Sequence, residues 1–215
     1  MDRLAGSKTS KKGMKSKMNK IIFATSNEGK MDEIRDILKD MNIELLSLKD
    51  LGLNPDINEN GKSFEENAII KAKAVMEMTG EMVLADDSGL EVDYLDKAPG
   101  IYSARFLGED TPYSIKNQYI IDKLKNAQGN DRSARFVCVV ALAMPKGDII
   151  TRSGIIEGYI ANKISGVGGF GYDPIFYVPE YKCTTAELPF EHKNKISHRG
   201  IALNAMKKVL MQYIQ

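Results

Sequence analysis

Tryptophan is absent from this 215-residue chain, and cysteine and histidine occur only twice each. Two cysteines, Cys138 in an apolar run and Cys183 in a polar loop, exclude a disulfide-stapled fold, and no zinc-ligand spacing is present. Such sparse thiols point to a reducing cytoplasm. Long hydrophobic runs are missing too. The longest, FVCVVALAM at 136–144, falls far short of the roughly 20 residues a membrane helix needs, and the basic start lacks the apolar stretch of a signal peptide. Nor does one sign of charge dominate: 30 basic against 29 acidic residues leave a net charge of +1. That argues against a nucleic-acid surface, and leaves room for a local basic pocket that takes a small anion.

What is present is an ordinary globular composition, 43% hydrophobic and 27% charged, long enough for one domain with two lobes. Residues 1–18, MDRLAGSKTSKKGMKSKM, scatter lysines among Gly, Ser and Met without periodicity. They read as a flexible basic extension. Residues 19–215 read as the single folded domain.

In that domain KIIFAT at 20–25 predicts a first strand. The small polar loop SNEGK follows, then a helix with Ile34, Ile37, Leu38 and Met41 on one face. A short strand and a long Asn/Gly/Pro-rich loop fill 43–62. Ser63 and Glu66 give the S-x-x-E start of a second helix that Gly80 ends. Residues 82–85 then deliver Asp86 and Asp87, with Ser88-Gly89 expected to turn the chain. Thr111-Pro112 reads as an N-cap and first helical residue, opening a helix to about Asn126. Strands at 134–144 and 148–157 form a hairpin around Pro145-Lys146-Gly147, and Ser197 caps a last helix. Alternating strands and helices followed by a hairpin imply a mixed α/β sheet with helices on its faces.

Four stretches carry candidate chemistry. A strand–loop–helix junction such as SNEGK presents free N–H groups and the positive helix end to an anion, with Lys30 one turn in. The bland reading is a capped helix with an exposed lysine. Adjacent carboxylates Asp86 and Asp87 repel one another unless a cation lies between, and hard oxygen ligands suit magnesium with phosphates completing the shell. Glu59 and the capping-box Glu66 are companions, Glu66 the weaker, and a solvated Asp-Asp-Ser-Gly turn is the plain alternative. In GGFGYDP, Gly168, Gly169 and Gly171 permit close approach while Phe170 and Tyr172 offer flat faces to a ring; a tight structural turn with core aromatics reads as well. Finally EHKNKISHRG collects Lys193, Lys195, His198 and Arg199, donors able to read a carbonyl or clamp an anion, or else a solvated basic segment.

Taken in order, SNEGK, FEENA, ADDSGL, APGIYSARF, GGFGYDPIF and SHR resemble the inosine/xanthosine triphosphate pyrophosphatases, the Ham1-like inosine triphosphatase family that acts on altered purine nucleotides. The resemblance runs from about Lys20 to the C-terminus. It implies a two-lobed α/β fold with a long mixed central sheet, an active site in the cleft, and a homodimer. It implies a Mg2+-dependent hydrolysis of purine nucleoside triphosphates (ITP, dITP, XTP) to monophosphate and pyrophosphate, with neither membrane nor nucleic acid as partner. A nucleotide-binding sensor with the same pocket but no turnover is the rival reading, and an RNA-interacting module using the basic tail a more distant one. Carried over residue by residue, Asp87 is catalytic, and Glu59 and Asp87 hold the metal, with Asp86 a further candidate ligand. The substrate residues are Thr25, Ser26, Asn27, Glu28, Gly29 and Lys30 for phosphate, then Lys71 and Ser88. Phe170, Gly171, Tyr172, Asp173, Lys193, His198 and Arg199 complete them at the base. One departure is Glu65, an acid where many relatives carry an apolar residue; no role attaches to it.

Overall fold

The structure, a computed structural model, describes residues 19–214, so the basic extension at 1–18 lies outside the described residues. The β-branched run near Lys20 forms β1 (Asn19–Phe23), which pairs in parallel with β2 (Ile43–Ser47) and with β3 (Met82–Val92). Its crossovers are α1 (Glu28–Leu38) and α2 (Phe64–Thr79). Thereafter pairing is antiparallel: β3 with β4 (Ser133–Ala143), β4 with β5 (Ile149–Ile160), then the short β6 (Phe176–Val178) and β7 (Cys183–Thr184). The strand order β2-β1-β3-β4-β5-β6-β7 makes one seven-stranded mixed sheet, the α/β architecture expected.

Local chemistry sets most boundaries. The Asn27 side chain accepts from the Lys30 amide at 3.0 Å, and Ser63 Oγ accepts from Glu66 N at 3.1 Å. Gly80, at φ +69, closes α2 in the left-handed conformation that glycine adopts without strain. Ser197 Oγ accepts from Gly200 N and opens α5 (His198–Leu210). At α3 (Tyr113–Lys123) the cap differs from expectation. Pro112 itself takes the N-cap position, the Thr111 hydroxyl turns back to the Leu107 carbonyl, and the helix stops short of Asn126. Phe190–Ile196, overlapping the basic segment EHKNKISHRG, forms a short helix, α4.

The largest correction concerns Ser88-Gly89, which do not turn the chain. β3 continues through them, with Asp86 opposite Val140, Asp87 opposite Val139 and Ser88 opposite Cys138. An unbroken apolar partner strand supplies a full ladder, and that long-range pairing overrides the local turn preference of Asp-Ser-Gly. Gly89 has a different use: a side chain there would collide with the Gly100 carbonyl and Ser103 Oγ. The residue marks a close approach, not a bend.

The lobes follow from where apolar side chains gather. At the β1 end of the sheet, α1 and α5 bury Ile34, Leu38, Leu203 and Met206 against Phe23, Leu84 and Leu142 on one face. On the other face α2 packs Phe64, Ala68, Ala72 and Val75 against Ile22, Val83 and Ala85. Farther along the same long strands, Leu90, Phe136, Ile175 and Phe176 join Ile120 and Leu124 in a third cluster. Asp86 and Asp87 lie on β3 between these cores, where the apolar layers part.

Candidate active site

Strand alternation sends Asp86 and Asp87 to opposite faces of the sheet. Asp86 follows Leu84 toward α1 and α5. There its Oδ1 is 3.0 Å from Lys30 Nζ, and its Oδ2 accepts from Arg199 Nε at 3.2 Å and Nη2 at 3.1 Å. Ser88, two residues on and on the same face, donates to Asp86 Oδ2 and accepts from Arg199 Nη2 at 2.9 Å. Burial alone would raise the Asp86 pKa, but Lys30, Arg199 and Lys71 outweigh it and hold the carboxyl far below its ordinary range. The neighbouring Cys138 thiol, buried and facing that carboxylate, is pushed up to about 12.

Asp87 follows Val83 and Ala85 toward α2. Its Oδ2 accepts from Asn67 Nδ2 at 3.2 Å and its Oδ1 from Lys71 Nζ at 3.3 Å. Lys71 Nζ also lies 2.9 Å from Glu59 Oε2, so one ammonium gathers two carboxylates from separate segments. Desolvation raises the Asp87 pKa, Lys71 and Lys30 oppose that, and nearby Glu59 adds to it; the net direction is upward. Two chemically identical neighbours thus end with opposite proton affinities.

Glu33 of α1, which sequence reasoning missed, links this machinery to the other wall. Its Oε1 is 2.7 Å from Lys193 Nζ and its Oε2 pairs with Arg199 Nη1. Burial pushes the Glu33 carboxyl up, and the stronger combined pull of Arg199 and Lys193 brings it below the ordinary value. The one available signal was spacing, since Glu33 falls a helical turn after Lys30 on the same face. Lys193 Nζ in turn lies 2.5 Å from Asp173 Oδ2, which also accepts from the Phe170 amide at 2.7 Å. Thr185 Oγ1 holds the other Asp173 oxygen at 2.8 Å. This tie fixes the glycine-rich loop, where a side chain on Gly169 would strike Asp173 Oδ2. The Phe170 ring lies over Lys193 Nζ at 5.2 Å and over the Arg199 guanidinium at 5.6 Å.

These groups border one cleft of about 370 Å3. Of the residues singled out in sequence, Thr25, Ser26, Asn27 and Lys30 line it on one side, with Glu59, Lys71 and Asp86–Ser88 at its floor. Phe170–Asp173, Lys193, His198 and Arg199 border its far part. Glu28 and Gly29 do not line it. Glu28 is exposed and pairs with Lys49 at 2.7 Å, while Gly29 lies under the Phe170 ring, 3.0 Å from where a side chain would begin. Glu66 caps α2, accepting from the Lys62 amide at 2.6 Å, and takes no part. Lys193 and Arg199 are buried, not solvated.

His198 stacks on Phe136 with ring centroids 4.7 Å apart and planes 13° from parallel. Burial, reinforced by Arg199 and Lys193, drives its pKa well below the usual value, so the imidazole is neutral. Its buried Nδ1 has no hydrogen-bond partner among the described residues. Tyr113, from the first turn of α3, adds an aromatic wall against Tyr172 at 5.2 Å, edge to face. Proximity to Pro112 in sequence gave no hint of that role.

Two carboxylates of independent origin, Glu59 and Asp87, are the donor set that a hard divalent cation accepts. Among the described residues no three His, Cys, Asp or Glu side chains form a ready metal cage. Magnesium takes one or two carboxylates and completes its shell with water and substrate phosphate. The charge count points the same way. Lys30, Lys71, Lys193 and Arg199 are paired among Glu33, Glu59, Asp86, Asp87 and Asp173, four cations against five anions, leaving −1 before any polyanion enters.

The chain is similar to known proteins over most of its length. The Ham1 family model matches residues 21–209. Over 191 residues the chain is 48% identical to a dITP/XTP pyrophosphatase of Desulforamulus reducens, covering 89% of this chain and 95% of that one. It is 48% identical over 196 residues to a dITP/XTP pyrophosphatase of Clostridium perfringens, covering 88% and 96%. Among solved structures, a HAM1 protein from Coxiella burnetii matches with a TM-score of 0.82 at 42% identity, over 91% of this chain and 100% of that one. The Staphylococcus aureus Ham1 protein matches with 0.81 at 39% identity, over 91% and 100%.

Proposed function

The chain belongs to the Ham1 family, and from that premise we propose that it hydrolyses altered purine nucleoside triphosphates, dITP, ITP and XTP, to the monophosphate and pyrophosphate with magnesium. The observation that carries this reading is the meeting of Glu59 and Asp87 at Lys71, 2.9 and 3.3 Å from one Nζ, on the floor of a cleft that also holds the SNEGK loop.

Glu59 and Asp87 would hold the metal. When bound, it supplies positive charge that neutralises the phosphates and the departing pyrophosphate. The Thr25–Asn27 loop and Lys30 bind the phosphate chain at the start of α1, where the helix end favours anions. Asp87, its proton affinity raised by burial, accepts a proton from water. The water oxygen bonds to the α-phosphorus, the bond from that phosphorus to the α–β bridging oxygen breaks, and pyrophosphate leaves with the electron pair. Lys71 keeps both carboxylates in register and adds its charge to the field around the reacting phosphate.

Base choice follows from donors. Lys193 carries three N–H donors and meets two carboxylates, leaving one for the 6-oxo group of hypoxanthine or xanthine. His198 Nδ1 is a further polar atom bordering the cleft without a hydrogen-bond partner among the described residues. Adenine, with a 6-amino donor, leaves Lys193 facing another donor, which is costly in a buried site. Arg199 is committed to Asp86, Ser88 and Glu33, so it positions this wall and does not read the base edge itself.

A homodimer and a cytoplasmic setting belong to the same reading. They are supported by the exposed Tyr102, Leu107 and Ile115 before and on α3, and by two free thiols. Incubation with magnesium and a nucleotide panel, scoring pyrophosphate and orthophosphate separately, tests the reaction. Pyrophosphate from dITP, ITP and XTP is expected. Orthophosphate alone contradicts it, and tight binding without product favours a nucleotide sensor.

A further inference from the structure

The ion pairs at the floor of the cleft leave it formally at −1, and its cations are all shared with carboxylates. A departing pyrophosphate needs positive charge from elsewhere on the chain as well as from the metal. Two cations beside the cleft stand outside that pairing. Both attach to the segment Ser103–Arg105, whose Ser103 and Ala104 form part of the cleft wall. Lys116 of α3, 1% exposed, donates to the Ala104 carbonyl at 2.6 Å and lies 4.9 Å from the Tyr113 ring centroid. It meets no carboxylate among the described residues, and desolvation lowers its pKa. Arg105 is the next residue along. Its guanidinium lies over the Tyr102 ring at 4.9 Å, and Nη2 is 3.5 Å from the backbone carbonyl of Glu59. It too has no carboxylate partner among the described residues.

That contact puts Arg105 against the residue whose side chain meets Lys71 and Asp87. A half-buried arginine, held by one long hydrogen bond and one ring face, thus stands beside the backbone of Glu59 and next in sequence to the cleft-lining Ala104. The guanidinium presents a fork of donors matched to two phosphate oxygens.

We propose that Arg105 binds the β- and γ-phosphates and retains the departing pyrophosphate, a contact that rests on the pyrophosphatase reading above. The segment holding it is fixed from behind: Tyr172 Oη donates to the Ser103 carbonyl at 2.8 Å and Lys116 holds that of Ala104. The backbone that carries the guanidinium is thereby anchored on its far side.

The test is calorimetric titration of inorganic pyrophosphate and, separately, of inosine monophosphate, each with magnesium, into the wild type, Arg105→Gln and Arg105→Lys. Losing a charge-assisted hydrogen bond is expected to weaken pyrophosphate binding by about tenfold or more in Arg105→Gln. Monophosphate binding stays within about twofold in that variant, and Arg105→Lys recovers only part of the pyrophosphate affinity, because it keeps the charge and loses the two-donor fork. Unchanged pyrophosphate binding in Arg105→Gln overturns the proposal. Equal weakening for both ligands overturns it as well, since that pattern means Arg105 only braces the Glu59 loop. A wild type that releases no pyrophosphate from any triphosphate removes the reaction itself. Wild-type release beside normal pyrophosphate binding in Arg105→Gln removes Arg105 alone.

Discussion

Asp86 and Asp87 differ by one position in the chain and by the whole thickness of the sheet in surroundings. Asp86 faces Lys30, Arg199 and Ser88, is 1% exposed, and binds its proton far more weakly than a free aspartate. Asp87 faces Asn67 and a Lys71 it shares with Glu59, and binds its proton more strongly than usual. The first is a heavily paired anion that fixes Lys30 and the α5 arginine. The second has fewer partners, and in the proposed reaction it is the one that takes up the metal ion and the proton. A strand's two-residue alternation is enough to give neighbouring carboxylates these opposite surroundings.

The comparison is broken most directly by exchanging each acid for its amide. In Asp87→Asn, turnover measured as pyrophosphate release is expected to fall by about 10²–10⁴, the usual range for loss of a general base, with nucleotide binding partly retained. Near-normal turnover would return Asp87 to the structural class. In Asp86→Asn the main loss is stability. Removing one partner from a buried network of this kind costs about 3–5 kcal/mol, read as a lower midpoint in urea. If Asp86→Asn unfolds like the wild type, Lys30 and Arg199 do not depend on it.

A smaller effect sharpens the account at the base wall. His198→Ala is expected to narrow the preference for ITP over ATP by about tenfold, the scale of one buried hydrogen bond, while leaving the Asp86 ion pairs in place. Unchanged selectivity would leave Lys193 as the reader of the 6-position. Arg199→Ala is a poorer probe, because it strips Asp86 and Glu33 of a common partner.

The smallest effects lie in pH dependence. His198 has a folded pKa below its unfolded value, so the unfolded chain takes up the proton first and stability declines as pH falls below about 6.5. His198→Gln should flatten that limb in thermal melts recorded between about pH 7 and 5. Asp86 and Glu33, with depressed folded values, contribute stability present above the unfolded carboxylate range and lost in more acidic solution. A melt independent of pH from 7 to 3 would contradict both.

Much of this arrangement was legible in the chain because it is locally encoded. The SNEGK junction and the Ser63, Gly80 and Ser197 boundaries each depend on contacts within a few residues. So does the turn at Pro145-Lys146-Gly147, where Gly147 donates to the Met144 carbonyl. The unbroken course of β3 was hidden because Ser88 and Gly89 have turn chemistry and their ladder partners stand some fifty residues away, Cys138 and Val137. Glu33, Asn67, Tyr113 and Arg105 were not legible for a related reason. Each acts on a partner that only the fold brings near, as Glu33 does on Lys193 across a sequence separation of 160. Order among motifs revealed the family; it did not reveal which acid was heavily paired and which had fewer partners.

The division between the two aspartates is tested most directly by titrating magnesium into the protein saturated with a non-hydrolysable dITP analogue, in the wild type, Asp86→Asn and Asp87→Asn. Loss of the magnesium heat in Asp87→Asn, with a wild-type-like isotherm in folded Asp86→Asn, is the result the account predicts. An isotherm that survives in Asp87→Asn and disappears in Asp86→Asn would contradict it.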